Sequence, residues 1–452
     1  MTRLVERIVP KRGAAAGFRG AGSRVLRQGA GNATLNFAAL VVNFAITLVL
    51  SHLLGATGYG AYAFALSLAL ILAVPAVLGL TPLLVRELTS YRLSESWGLV
   101  RGMIRRANES VVLASAIVCG IAAFGIVVSG WPRGELRAPS LVALPLVPLI
   151  ALTSVRQGVM QGFARTVLGR APETVIMPIA LLMFAAFLGI VIGDRFDARW
   201  AVGAADSAGI AALVAGMLFL RRVLPAEVDS APAEFRSRRW ARAAVPLALL
   251  SAVSTAGTQL PTVILGAIGE PDEVGVFNVA SRIASVLPFL LIAATPAIMP
   301  AIAELDILQR HGVLQRLMTR SARFVLIGSL PVAVIAIIFA GPLLNLFGTD
   351  FEEGKTALRI LAVGQLVSVA CGLPGTALIM FGDAAVMTVT LAATTTLTLV
   401  LTGVLVPQFG ATGAALGSAS GVIVANLVLS AILWRRRRIY APALLVPRST
   451  RA

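Results

Sequence analysis

The chain has 452 residues, of which 58% are hydrophobic and 13% charged, and a formal net charge of +17. A soluble domain carries nearer 25% charge, and apolar runs of about 20 residues, enough to cross roughly 30 Å of hydrocarbon as helix, recur here from end to end, so a soluble globular fold is excluded. The excess of cations falls between alternate apolar runs, which is the positive-inside pattern and argues against a nucleic-acid partner; only 2 Cys and 2 His are present, too few for a disulfide framework or a histidine-built metal or catalytic centre.

Residues 1–32 contain seven Lys or Arg and no apolar core. They are expected to be a basic cytoplasmic tail and not a cleavable signal peptide; contact with anionic lipid and plain disorder are both open for it. Six spans are then expected near 33–54, 60–85, 110–130, 140–163, 172–193 and 200–220, forming a first lobe (33–220). A basic linker follows at 221–243. Six more spans near 244–266, 275–303, 324–347, 357–381, 384–406 and 412–434 form a second lobe (244–434), with a basic tail at 435–452. The predicted fold class is thus an all-α polytopic membrane protein of about 12 transmembrane helices. With the N-terminus inside, 30 of the 38 Lys and Arg face the cytoplasm and six face outward. This places both termini in the cytoplasm, and the expected location is the cell membrane. Cys119 and Cys371 fall in separate spans and read as small buried residues.

The two lobes repeat one another. "LLGATGYGAYAFALSLA" (Leu53–Ala69) aligns with "ILGAIGEPDEVGVFNVASRIA" (Ile264–Ala284) across a four-residue insertion. Gly55 then matches Gly266, and Gly60, Tyr62 and Ala65 match Gly275, Phe277 and Ala280. Six is an even number of spans, so both halves start on the same side. The repeat is parallel, its pseudo-axis along the membrane normal, as in transporters whose substrate site lies between the halves.

Polar residues at membrane depth mark candidate site positions. Asn36, Asn43, Thr47 and Ser51 share one face of span one, and Ser251, Thr255, Thr258 and Thr262 share one face of span seven. Under the repeat, Asn43, Thr47 and Ser51 fall opposite Ser254, Thr258 and Thr262. Such stripes face a wet cavity or another helix, never lipid; hydrogen bonding between helices is the plainer use. Arg156, with Gln157 and Gln161 beside it, lies in span four and either contacts substrate or snorkels to the inner surface. Arg282 lies in the outer half of span eight, as a cavity cation or an internal ion-pair partner. Asp206, six residues into span six, is a candidate ion-coupling carboxylate unless that span starts late. A charge at mid-membrane costs roughly 2.5–3.5 kcal/mol on insertion scales, so each position requires a reason.

No P-loop is present, and no paired carboxylates or Cys/His pair sit over a long outer loop, so no enzymatic site is evident. No cofactor or metal is expected.

"LSHLLGATGYGAYAFALSLALILAVPAVLGLTPLLVREL" resembles the N-terminal signature of polysaccharide flippases of the Wzx type, in the superfamily that also holds the MATE drug exporters and peptidoglycan-precursor flippases. "ILGAIGEPDEVGVFNVASRIASVLPFLLIAATPAIMPAIAEL", "LLNLFGTDFEEGKTALRILAVGQLV" and "FGATGAALGSASGVIVANL" resemble that family too. The resemblance implies two lobes working by alternating access on a polyprenyl-diphosphate-linked oligosaccharide for surface polysaccharide. It implies membrane lipids and polysaccharide polymerase or ligase proteins as surroundings and candidate partners. Arg282 matches the arginine that follows the family's GxYxxA pattern, here "GVFNVASR", with Phe277 in place of the common Tyr. The expected substrate-binding set is Arg282, Arg156, Gln157, Asn43, Thr47, Ser254 and Thr258. A MATE-like exporter of organic cations, a membrane scaffold for a synthesis complex, and a polymerase are the rival readings.

Overall fold

In hydrocarbon every backbone N–H and C=O has to find its partner within the protein, and an Ala-, Leu- and Val-rich chain meets that demand most simply as helix. The computed structural model describes residues 14–439 and 443, with side chains from residue 34 on except at 293, 294, 296, 297, 300 and 384, and contains no strand among them. The remainder of the two basic tails lies outside the described residues. In chain order the helices are α1 (Ala14–Val77), α2 (Leu80–Leu93), α3 (Trp97–Ser129), α4 (Arg137–Val142), α5 (Leu146–Gly162), α6 (Thr166–Ala171), α7 (Met177–Ile192), α8 (Ala198–Val223), α9 (Ala226–Ser230), α10 (Ser237–Ile268), α11 (Pro271–Ala284), α12 (Phe289–Ile307), α13 (His311–Ile338), α14 (Ala340–Asn345), α15 (Lys355–Cys371), α16 (Pro374–Met380) and α17 (Ala384–Arg437). The chain is a multi-pass membrane protein. Eight helices among the described residues are long and apolar enough to cross a membrane, or nine when the pair α4–α5, bent by 44°, counts as one.

Two of those helices are double-length and fold at a glycine. α1 breaks at Gly55 (φ 63°) and α17 at Gly410 (φ 51°), in a region of φ that a side chain disfavours. Around Gly410 the two arms run back along each other. A Cβ on Gly417 would stand 2.3 Å from Thr402 Oγ1, and one on Gly421 would stand 1.8 Å from Thr398 Oγ1. Small residues at such seams let helices approach within membrane, where apolar side chains gain nothing by leaving lipid. Large side chains on outer faces, among them Ile190, Phe324 and Phe124 at 85%, 75% and 71% exposure, form the lipid-facing surface.

Several ends differ from the sequence-based expectation. Helix α1 reaches back to Ala14 through the expected tail, in spite of five glycines between residues 14 and 32. Span two stops at Val77, since Gly79 turns the chain with φ 66° and α2 begins anew. Helix α13 starts at His311, inside the expected basic loop. Gly266, the expected partner of Gly55, lies within α10; the turn after that helix comes at Gly269. Asp197 caps α8, accepting from the Arg199 and Trp200 amides at 2.9 and 3.3 Å, which puts Asp206 well inside the helix and not at its start.

Helices α1–α8 pack mainly among themselves, as do α10–α17, and the two groups meet where α1 runs against α10 and α11. At the closest crossing Gly60 faces Gly275. A Cβ on Gly60 would fall 1.7 Å from the Pro271 carbonyl oxygen, and one on Gly275 would fall 2.2 Å from that of Ala56. These two glycines are the ones the internal repeat pairs. Equivalent residues of a two-fold repeat can touch each other only near the axis, so the crossing locates the pseudo-axis.

Candidate functional site

Two cavities flank that crossing. The first, about 440 Å³, lies within the first group of helices, and the second, about 540 Å³, within the other group. Both volumes fall in the range of ligand pockets, about 300–1,000 Å³. Gln259, Asn278 and Arg282 line both cavities, so the three side chains form a shared sill.

Arg282 owes its place to a broken helix. Helix α11 opens with a capping box in which Glu270 and Glu273 exchange contacts with each other's backbone, with Pro271 in the first turn. It ends at Ala284, and the chain turns through 285–288 before α12 begins after Pro288. Arg282 thus sits in the last turn of α11, where a cation complements the helix dipole. At about 1.5 Å per residue it lies roughly 17 Å along the helix from the start of α11. Among the described residues no hydrogen bond or ion pair engages its guanidinium; the only bond to this residue from a side chain is that of Ser285 Oγ to its backbone carbonyl, 2.7 Å. The side chain is exposed, and what it is exposed to is cavity. Discontinuous helices whose ends face a midplane site are a recurring transporter device.

The first cavity gathers Asn43 and Thr47 from the first arm of α1, Gln157 from α5, and Tyr59, Tyr62 and Ser67 from the second arm. Asn43 Nδ2 donates to the Ala39 carbonyl at 2.7 Å and Thr47 Oγ1 to the Asn43 carbonyl at 2.9 Å, which leaves their oxygen lone pairs to the cavity. Arg170 and Glu173 also line it. They stand one turn apart where the chain passes through a π-helical turn, Pro172–Ile176, a deformation frequent at functional positions. Arg170 Nη2 donates to Asn36 Oδ1 at 3.1 Å, and Glu173 lies within electrostatic reach of Arg170.

The second cavity has a different chemistry. Ser254 and Thr258 of α10 face Thr394, Thr395 and Thr398 of α17, with Gln365 of α15 and Ser281 of α11 between them. Arg282 is the sole ionic side chain in its lining.

Six of the eight expected positions line a cavity. Asn43, Thr47, Gln157 and Arg282 share one cavity, and Ser254, Thr258 and Arg282 the other. Arg156 and Asp206 line neither. Arg156 Nη1 donates to Asn108 Oδ1 at 3.1 Å and to the Leu152 carbonyl at 2.8 Å, bridging α3 and α5. Asp206 has one carboxylate oxygen buried without a hydrogen-bond partner among the described residues, while its neighbour Ala205 faces the first cavity. Arg170, Glu173, Gln259 and Asn278 went unselected by sequence reasoning. Asn278 had a usable signal, since it precedes Arg282 by one turn and shares its face. Arg170 read as one more cytoplasmic cation.

A model of the family described as "Polysaccharide biosynthesis protein" matches residues 25–306. No curated protein matches the chain by sequence. Among solved structures, an inward-facing multidrug resistance MATE family transporter of the MOP superfamily superposes with a TM-score of 0.71 at 17% identity, over 88% of this chain and 94% of that one. The lipid II flippase MurJ in an inward closed conformation gives 0.68 at 13% identity, over 88% and 86%. A MOP superfamily transporter from Pyrococcus furiosus, described as having a binding pocket of reversed polarity, gives 0.60 at 16% identity, over 92% and 95%. At these identities the likeness is one of fold.

Proposed function

The chain belongs to the polysaccharide biosynthesis protein family, and on that premise we propose that it flips a polyprenyl-diphosphate-linked oligosaccharide across the cell membrane by alternating access of its two lobes. Arg282 carries the reading. An unpaired guanidinium exposed to cavity between apolar helices is stable only if water or an anion meets it. Its planar fork suits a diphosphate, to which it can donate two parallel hydrogen bonds. The polar linings of both cavities would replace water around the sugars while the prenyl chain remains in lipid. Asn43, Thr47 and Gln157 would act on the side of the first cavity, and Ser254 and Thr258 on the side of the second. Arg156, tied to Asn108, would hold α3 against α5, and Asp206 would stand behind the cavity wall. No covalent chemistry is required, and the protein would act as a transporter and not an enzyme. Transfer to a polymerase or ligase on the far side would complete the task.

The rival export of organic cations requires an acidic site. Glu173 is the sole carboxylate lining either cavity, and it stands beside Arg170. A scaffold, for its part, would have no use for Arg282. The test is reconstitution of the purified chain in vesicles with a fluorescent polyprenyl-diphosphate sugar on the outer leaflet. The protein should speed its movement to the inner leaflet, and Arg282→Ala should return the rate to that of empty vesicles. Transport of an organic cation in place of the lipid, or full activity in Arg282→Ala, would overturn the proposal.

A further inference from the structure

We infer that the second cavity is a neutral sugar subsite, distinct from the anion subsite at Arg282, and that Ser281, Gln365 and Thr395 select the head group. The inference rests on the proposed lipid-diphosphate substrate and assigns its parts to places. A diphosphate gains from cations, and the second cavity has none beyond Arg282 at its sill, whereas the first adds Arg170. A sugar gains from groups that both donate and accept, because each of its hydroxyls does both; the second cavity offers the hydroxyls of Ser and Thr side chains and the amides of Gln259, Asn278 and Gln365, beside Phe277, Leu361, Leu391 and Val422. Several of these groups are uncommitted. The side chains of Ser281, Gln365 and Thr395 make no hydrogen bond among the described residues, and Ser418 Oγ, in the same lining, is buried without a partner. Groups with no protein partner are free to pair with a ligand that donates and accepts. The geometry of the junction fits as well. In such a lipid the first sugar is bonded directly to the diphosphate, so the two subsites have to adjoin, and Gln259, Asn278 and Arg282 are the wall they share.

The experiment measures binding of two probes to the full chain in nanodiscs: undecaprenyl diphosphate, bare and carrying a disaccharide. Wild type should bind the disaccharide form about tenfold more tightly or better, on the scale of a few net hydrogen bonds. The triple variant Ser281→Ala, Gln365→Leu, Thr395→Val should lose that gain and keep the bare lipid's affinity, whereas Arg282→Ala should weaken both probes. Gln365→Leu alone, at unchanged thermal unfolding, should show a loss of a few-fold for the disaccharide form, which keeps the test open if the triple variant misfolds. If the sugar adds no affinity in wild type, or if the triple variant weakens both probes alike or neither, the subsite is rejected while the diphosphate reading stands on the Arg282→Ala result. If wild type binds neither probe, the proposed function falls and the subsite with it.

Discussion

Arg282 and Glu87 are two charges that the fold treats in opposite ways. Arg282 is left open to both cavities, so its removal should weaken substrate and spare the fold. A charge-assisted contact contributes about 1.5–3 kcal/mol, roughly 10- to 150-fold. Arg282→Ala should lose most polymer export at normal protein abundance, and Arg282→Lys should keep part of it, retaining charge without the fork. Export and abundance measured together decide this, since a structural ion-pair partner would instead lower abundance. Glu87 is the converse, a carboxylate in α2 with its side chain only 6% exposed. Tyr91 donates to it at 2.9 Å and Arg86 at 2.9 Å, and Trp240 of α10 in turn donates to Tyr91 Oη at 3.0 Å. Burial alone would raise its pKa, but those hydrogen bonds and the nearby charge of Arg239 outweigh burial, and the value lies below the ordinary 4.5. A carboxylate depressed on folding stabilises the fold above its unfolded value, and that contribution is lost as pH falls through the lowered folded value. Glu87→Gln should therefore cost about 1–3 kcal/mol at neutral pH. The gap to wild type should begin to shrink below about pH 4.5 and close at lower pH. Thermal unfolding in detergent across that window reads it, and a gap independent of pH would reject the account.

At the scale of elements, the interlobe crossing depends on two glycines. Backbone faces backbone there, so no rotamer change can make room for a Cβ. Gly60→Ala should destabilise by about 1–3 kcal/mol as an overpacked contact. Gly120→Ala is the matched control: it lies in α3 with nothing within 4 Å of a new Cβ, and should be neutral or stabilising by up to about 1 kcal/mol on helix propensity. Unfolding temperatures of the two variants test the crossing, and equal behaviour would remove it. The linker is held in a similar manner. The Glu234 amide donates to the Gly98 carbonyl at 2.9 Å and Arg101 Nη1 to the Ala231 carbonyl at 2.7 Å. The segment between the lobes thus lies strapped along α3, with Gly102 so close that a Cβ would stand 1.8 Å from the Glu234 oxygen.

For the whole molecule, orientation follows from charge. A 30-to-6 bias of Lys and Arg favours both termini inside. An impermeant thiol reagent on intact cells should label Asp272→Cys, at the start of α11, and leave Ser94→Cys, at the end of α2, untouched; the reverse pattern would invert the topology. The proposed alternating access would have two seams to work with. One is the Gly60–Gly275 crossing with Phe351 packed edge-on to Tyr59 at 6.2 Å. The other is the Glu87–Tyr91–Trp240 network, which ties α2 to α10.

Sequence alone determined the membrane class, the helical fold and the twofold repeat, because hydrocarbon leaves the backbone one economical solution for long apolar runs and because the repeat is written in matched glycines. It also singled out Arg282, since a cation in an apolar run has to be accounted for energetically. Only the tertiary structure separated Arg282 from Arg156. The two look alike in sequence, yet Arg156 finds Asn108 on a neighbouring helix and Arg282 finds open cavity. It likewise moved the polar set, bringing Arg170 and Glu173 inward on a π turn and facing α10 with the threonines of α17. Helical periodicity states which residues share a face; which face meets a cavity is decided by where helices break and cross. Those breaks come at Gly55, at 285–288 and at Gly410, where a glycine or a proline allows a turn and packing against the other elements sets its direction.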